Sequence, residues 1–120
     1  MEFFSDKELR CKGSGELAMD PLFMQKLIVL RREYNKPIVI TSGYRSASYN
    51  EMIGGAKGSA HLLGRAVDIQ CDGREAYQLI MLAVKLGFTG FGVAQSKSGG
   101  RFLHIDDMPI GPLRPTIWSY

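Results

Sequence analysis

The chain has 120 residues, 45% of them hydrophobic and 22% charged, and a formal net charge of +3. This length and composition are typical of one soluble globular domain, so we expect a single domain over residues 1–120. No apolar run reaches the roughly 18 to 20 residues of a membrane span. The opening MEFFSDKELR has no signal-peptide pattern, so we expect synthesis in the cytoplasm without a signal peptide.

The basic residues are scattered along the sequence, and the densest group is the pair Arg31–Arg32. Nucleic-acid-binding domains usually concentrate such charge in a patch, so we expect no nucleic-acid partner, and we expect a monomer. Cys11 and Cys71 have no metal-binding spacing of their own, and a reducing compartment argues against a disulfide. Both cysteines are therefore predicted to be buried free thiols.

The first half of the chain predicts two helices and a strand. Ser5 and Glu8 form a capping-box pattern that opens a short helix, which the KGSG of residues 12–15 ends. Asp20 and Pro21 then start a core-facing helix that extends to Tyr34. The PIVIT of residues 37–41 follows as a buried strand.

The second half predicts two more helices and three strands. Ser46 caps a helix that extends to about Ile53, and RAVDIQ (65–70) forms a strand. Asp72 and Glu75 form a second capping box, which opens a helix with one apolar face made of Tyr77, Ile80, Ala83 and Val84. GFGVAQ (90–95) and RFLHID (101–106) form a hairpin around a five-residue loop. The tail from Pro109 is expected to be extended and packed by Trp118.

Helices segregated from a small, largely antiparallel sheet predict an α+β fold. Within this fold, both histidines of the chain stand near carboxylates. His61 lies in a glycine-flanked loop ahead of Asp68, and His104 shares a strand face with Asp106. Two imidazoles and a carboxylate are a standard ligand set for catalytic zinc. Ordinary hydrogen-bonded polar residues explain the same pattern, and these residues alone leave the two alternatives open.

The neighbouring motifs resemble one family closely. SGYRS (42–46), Asn50, Gly54-Gly55-Ala56, SAHLLGRAVDI (59–69) and FLHID (102–106) occur in that order. They are similar to the zinc peptidases that include D-Ala-D-Ala carboxypeptidases, VanX/VanY-like enzymes and phage L-Ala-D-Glu endopeptidases, which share their core with the hedgehog domain. The resemblance extends from about Phe4 to Asp107.

The resemblance implies roles for particular residues. His61, Asp68 and His104 would be the zinc ligands. Arg45 would hold the substrate carbonyl or carboxylate, which suits its planar and permanently charged guanidinium group. Ser59 would contact the substrate backbone or its terminal carboxylate. The small residues Gly64 and Ala66 suit either a close approach of the backbone to the site or ordinary turn and strand packing.

One position departs from the family pattern. Many relatives place a catalytic carboxylate three residues before the second histidine ligand, where this chain has Arg101. Arginine does not deprotonate in proteins and cannot be a general base. Asp106 is then either the base or a hydrogen-bond acceptor that orients an imidazole. Asp107 should point the other way, and Glu51 is a more distant candidate for the base.

The resemblance therefore implies a zinc peptidase that cuts peptidoglycan stem peptides. The sequence itself does not select the bond, and of the two we favour D-Ala-D-Ala over L-Ala-D-Glu. The expected setting is a phage or prophage lysis enzyme, or a tail-associated one, that reaches the cell wall after lysis. The alternative is a zinc-stabilised binding module that has lost catalysis. The support for this alternative is that Arg101 stands where many relatives have the catalytic carboxylate. A basic nucleic-acid-binding domain has only the net charge in its favour.

Overall fold

The computed structural model describes residues 2–96 and 100–120. The described residues form four α-helices, with the bounds α1 Asp6–Leu9, α2 Pro21–Tyr34, α3 Ala47–Met52 and α4 Gly73–Lys85. A short 3-10 turn covers Ala60–Leu63. The strands are β1 Val39–Ser42, β2 Ala66–Gln70, β3 Gly90–Ala94, β4 Phe102–Asp106 and β5 Thr116–Ser119.

The five strands form one sheet in the order β1-β2-β4-β3-β5. The β1–β2, β2–β4 and β3–β4 pairs are antiparallel, and β5 pairs in parallel with β3. This architecture confirms the predicted α+β class with a largely antiparallel sheet. None of the described helices is long and apolar enough to cross a bilayer.

The helices begin where their capping residues predict. The side chains of Ser5 and Asp72 each accept from the backbone N–H three residues later. The side chains of Glu8 and Glu75 in turn accept from the backbone N–H of these two cap residues, which completes each capping box. The Asp20 side chain accepts from Phe23 N at 2.9 Å, and Pro21 occupies the first helical turn. These bonds satisfy amide groups that would otherwise have no partner, so local sequence alone fixes the helix starts.

The predicted apolar face of α4 is correct at two of its four residues. Ala83 is buried and Ile80 packs half-buried against the core, but Tyr77 and Val84 are exposed, and Ala76 and Leu79 are buried instead. The helix therefore turns the face of Ala76, Leu79 and Ala83 toward the core, where it packs beside α2. The predicted loop between β3 and β4 includes residues 97–99, which lie outside the described residues.

The tail contains a strand that the sequence did not predict. Residues 116–119 form β5, which adds to the edge of the sheet beside β3 and aligns Trp118 with Gly92. Parallel pairing depends on a distant partner strand, so the local pattern of a proline-rich segment gives no sign of it. The pairing brings the end of the chain back over the sheet.

The hydrophobic core lies on one face of β2 and β4. Val67 and Ile69 on β2, with Leu103 and Ile105 on β4, join α2 and α4 in one cluster. Alternate residues of the same strands point to the opposite face. That opposite face carries the polar residues of the candidate site. Packing of the core face therefore fixes the two strands on which those polar residues stand.

Candidate metal centre

His61 is held in a short, well-anchored turn. Ser59 Oγ accepts from His61 N at 3.2 Å, and Arg45 N donates to the His61 carbonyl oxygen at 3.1 Å. Gly64 ends the turn with φ +67°, and a side chain there would collide with the backbone of Ala18. The predicted need for a small residue at Gly64 therefore has a steric basis.

Asp68 and His104 are brought together by strand register. They are directly opposite each other across the β2–β4 pair, and their side chains share the face away from the core. The carboxylate Oδ1 of Asp68 lies 3.2 Å from His61 Nε2 and 3.2 Å from His104 Nδ1. All three side chains are buried. The structure thus collects the three predicted ligands at one point.

Hydrogen bonds on the far side of each ring fix which nitrogen faces this point. His61 Nδ1 lies 2.7 Å from the carbonyl oxygen of Gly43, which can only accept, so Nδ1 carries the proton. His104 Nε2 donates to Asp106 Oδ2 at 2.8 Å. In the neutral rings, His61 Nε2 and His104 Nδ1 therefore direct lone pairs toward Asp68.

This arrangement fits a bound cation. Neutral imidazole lone pairs and a carboxylate oxygen repel one another at 3.2 Å, and a metal ion among them converts the repulsion into coordination. Tetrahedral zinc with ligands at about 2.0–2.1 Å places neighbouring donor atoms about 3.3–3.4 Å apart. All three donor atoms lie within 4.8 Å of one another. The donor set and its two distances from Asp68 therefore fit zinc.

Electrostatics in the metal-free protein agree with a site built for positive charge. Burial opposes ionisation of Asp68, but when the inward ring nitrogens of His104 and His61 carry protons, their hydrogen bonds to the carboxylate outweigh burial and hold the pKa of Asp68 well below its ordinary value. Burial likewise opposes protonation of His104, and the carboxylates of Asp106 and Asp68 raise its pKa nonetheless. The site therefore attracts a cation, whether protons or a metal ion.

The metal-facing atoms open into a cleft of about 390 Å³. Arg45 and Ser59, the two predicted substrate-binding residues, both line it. The guanidinium group of Arg45 makes long hydrogen bonds of 3.3–3.4 Å, to Ser42, Asn50 and Asp68. The cleft is also lined by residues of the 53–60 segment, most of them small, and by three aromatic residues, Phe102, Trp118 and Tyr120.

Asp106 shares the strand face of His104 but does not line the cleft. Its side chain is fully buried, with Arg114 donating from Nε to Oδ1 at 3.0 Å and from Nη2 to Oδ2 at 2.8 Å. Met108 N adds a further bond to Oδ1. With His104 also bound, both carboxylate oxygens are occupied, which favours the imidazole-orienting alternative over the general base.

The other candidate groups lie elsewhere. Arg101 is exposed and precedes β4, and Asp107 points away to pair with Lys26 and Arg65. Glu51 lies on α3 and lines a neighbouring depression. Among the described residues, Asp68 is the only carboxylate that lines the cleft.

Sequence reasoning missed Arg114 and assigned Trp118 only a packing role. Arg114 lies in the loop before β5, and the Trp118 ring centre is 5.0 Å from that of His104. The glycine at position 92 makes room for this indole, because a side chain there would approach Trp118 Nε1 to 2.6 Å. No local motif marks either residue, since both reach the site through β5 pairing.

Comparisons with known proteins agree with this geometry. The family model described as peptidase M15 matches residues 2–106. A zinc D-Ala-D-Ala carboxypeptidase of Streptomyces albus G is 36% identical over 67 residues, covering 55% of this chain and 26% of the relative. A probable peptidoglycan L,D-endopeptidase MepK of Haemophilus influenzae is 32% identical over 114 residues, covering 88% and 60%. The chain thus spans less than two thirds of either relative.

Proposed function

The chain belongs to the peptidase M15 family, and on that premise we propose that it is a zinc-dependent metallopeptidase acting on peptidoglycan stem peptides. The observation that carries this proposal is the set of three donor atoms, on His61, Asp68 and His104, facing a cleft beside Arg45. The relatives support the same substrate class, since one is named a D-Ala-D-Ala carboxypeptidase and the other a peptidoglycan endopeptidase.

When bound, a zinc ion would polarise a carbonyl oxygen and lower the pKa of a water molecule. The protein's own residues prepare the donors for it. The Gly43 carbonyl holds the His61 proton on Nδ1, and the Asp106 carboxylate holds the His104 proton on Nε2. Each ring therefore keeps one lone pair directed inward without rearrangement.

We propose that Arg45 and Ser59 bind the substrate, since both line the cleft. The weakly engaged guanidinium of Arg45 can stabilise negative charge that develops on the scissile carbonyl oxygen, or bind a terminal carboxylate. Ser59 Oγ accepts from the backbone, so its own O–H can donate to a substrate oxygen. A terminal carboxylate at Arg45 corresponds to carboxypeptidase action, and we propose the D-Ala-D-Ala bond ahead of L-Ala-D-Glu.

A second candidate is a zinc-stabilised binding module without catalysis. The observation that favours it is the occupied carboxylate of Asp106, together with the absence of any cleft carboxylate other than Asp68 among the described residues. The same cleft would then hold a wall peptide without cutting it. Turnover of wall fragments separates the two candidates.

The decisive experiment is digestion of purified peptidoglycan with and without a chelator, with the new termini identified by mass spectrometry. Release of free D-alanine indicates the carboxypeptidase, and a new internal amino terminus indicates the endopeptidase. Arg45→Ala should bind zinc like the wild type and hydrolyse far more slowly. Equal digestion with and without chelator would contradict the zinc peptidase.

The biological setting is part of the proposal. A phage or prophage lysis role, with the enzyme reaching the wall after release from the cytoplasm, is supported only by the proposed wall substrate. Added protein should lower the turbidity of permeabilised bacteria, and His104→Ala should not. A chain that cuts isolated wall fragments but leaves cells intact would contradict the lysis role.

A further inference from the structure

The tail supplies a charged contact to the metal centre. Arg114 precedes β5 and reaches Asp106 with a two-point fork, from Nε at 3.0 Å and Nη2 at 2.8 Å. Asp106 is fully buried, so Arg114 is the cation that compensates its charge alongside His104. A buried carboxylate that loses such a partner is strongly destabilised.

The same carboxylate holds His104. Asp106 Oδ2 accepts from His104 Nε2 at 2.8 Å, while the opposite ring nitrogen faces Asp68. A two-point guanidinium contact restricts rotation of the Asp106 carboxylate, and the carboxylate in turn fixes the tilt of the imidazole. We propose that Arg114 is a positioning residue, which sets the orientation of the His104 donor through Asp106. This inference rests on the proposed zinc site.

The surroundings show that this contact is built into the fold. A side chain at Gly90 would overlap the Asp106 carboxylate, so β3 leaves space for the acid at its cross-strand position. The Arg114 guanidinium also lies over the Trp118 ring, 5.3 Å from its centre, and that ring contacts His104. The β3–β5 pairing therefore delivers both the arginine and an aromatic support to one histidine.

A matched control is the ion pair of the next residue, Asp107, with Arg65. Arg65 forms a comparable pair with the buried Asp107, donating from Nε at 2.8 Å, but this pair faces Lys26 and contacts no metal-facing ring. The test compares Arg114→Gln with Arg65→Gln in the full chain. Zinc affinity is measured by competition with a chromophoric chelator, and folding of the zinc-free proteins by circular dichroism.

We expect Arg114→Gln to weaken zinc affinity by about 10- to 100-fold, as loss of a contact behind a ligand usually does. Arg65→Gln should lower the melting temperature and leave zinc affinity unchanged. Arg114→Lys keeps the charge without the fork, so its affinity should lie between those of Arg114→Gln and the wild type. In an Asp106→Asn background, Arg114→Gln should have little further effect, because the two act in series.

Folded Arg114 variants that bind zinc as tightly as the wild type would overturn this inference and leave the zinc site intact. Equal weakening by Arg65→Gln would also overturn it, since the effect would then be general destabilisation. A wild-type protein that binds no zinc would overturn the proposed metal site itself, and the inference with it. The two failures are thus distinguishable.

Discussion

At the centre of β2 and β4 the two faces are almost equally buried, yet one is apolar and the other carries charged and polar groups. Leu103 and Ile105 are fully buried among apolar neighbours, whereas His104 and Asp106 are 5% and 0% exposed among charged ones. Burial alone therefore does not distinguish core from site. The difference lies in partners, because each buried polar group on the site face has its own donor or acceptor.

The neighbours Asp106 and Asp107 show the same contrast within a single peptide. Asp106 accepts from His104 and Arg114 at the site, while Asp107 pairs with Lys26 of α2 and Arg65. Because neighbouring side chains point to opposite sides of the chain, the Asp106 carboxylate lies at the candidate site and the Asp107 carboxylate forms ion pairs away from it. If the two faces are separable in that way, a substitution on the core face should change stability but not zinc affinity, and a substitution on the site face should change zinc affinity while the chain stays folded.

The largest effect is expected at the ligands. Wild-type protein should contain about one zinc per chain by elemental analysis. His61→Ala or His104→Ala removes a donor atom, so zinc should be lost or nearly lost while the core keeps the chain folded. Circular dichroism provides the control for folding. Full zinc retention by both variants would contradict the ligand assignment.

On the opposite face, Ile105→Ala should affect stability instead. Truncating a fully buried isoleucine typically costs about 2–5 kcal/mol through lost burial and a residual cavity. Urea unfolding of the zinc-free protein measures that cost. Protein that remains folded should bind zinc with wild-type affinity. A zinc affinity reduced as strongly as in the site-face variants would show that the two faces are not separable.

Asp106→Asn tests the site face without removing a ligand. For the orienting role that the geometry favours, zinc affinity should fall by about 10- to 100-fold, and excess zinc should restore hydrolysis. If Asp106 is the general base, zinc should stay bound while hydrolysis falls by about 10²- to 10⁴-fold. Wild-type protein that hydrolyses no wall fragment would support the binding module instead. Zinc content and turnover measured on the same sample separate the three outcomes.

The smallest effect concerns acid unfolding of the zinc-free protein. Burial opposes ionisation of Asp106, but His104 and Arg114 outweigh it and lower its pKa to about 2. A lowered pKa contributes stability above the unfolded value of about 4, and this contribution, about 2 kcal/mol, is lost as pH falls toward 2. The stability difference between wild type and Asp106→Asn should shrink over that range. A difference that is constant with pH would contradict this charge network.

Local sequence was sufficient for the helix starts, and the family-typical string was sufficient to pick out the candidate zinc ligands. Capping depends on residues within three positions, and the spacing of His61, Asp68 and His104 sits within a family-typical string, so neither requires knowledge of distant contacts. The shared face of His104 and Asp106 is equally local, because residues two apart along a strand point the same way.

Tertiary structure alone decided the rest. The buried face of α4 depended on how the helix packs into the core beside α2, and β5 depended on an open edge at β3. The choice between roles for Asp106 depended on Arg114, eight residues further along the chain. Local patterns encode which side a residue faces, but a buried charge acquires its chemistry from partners that only the folded chain brings within hydrogen-bonding distance.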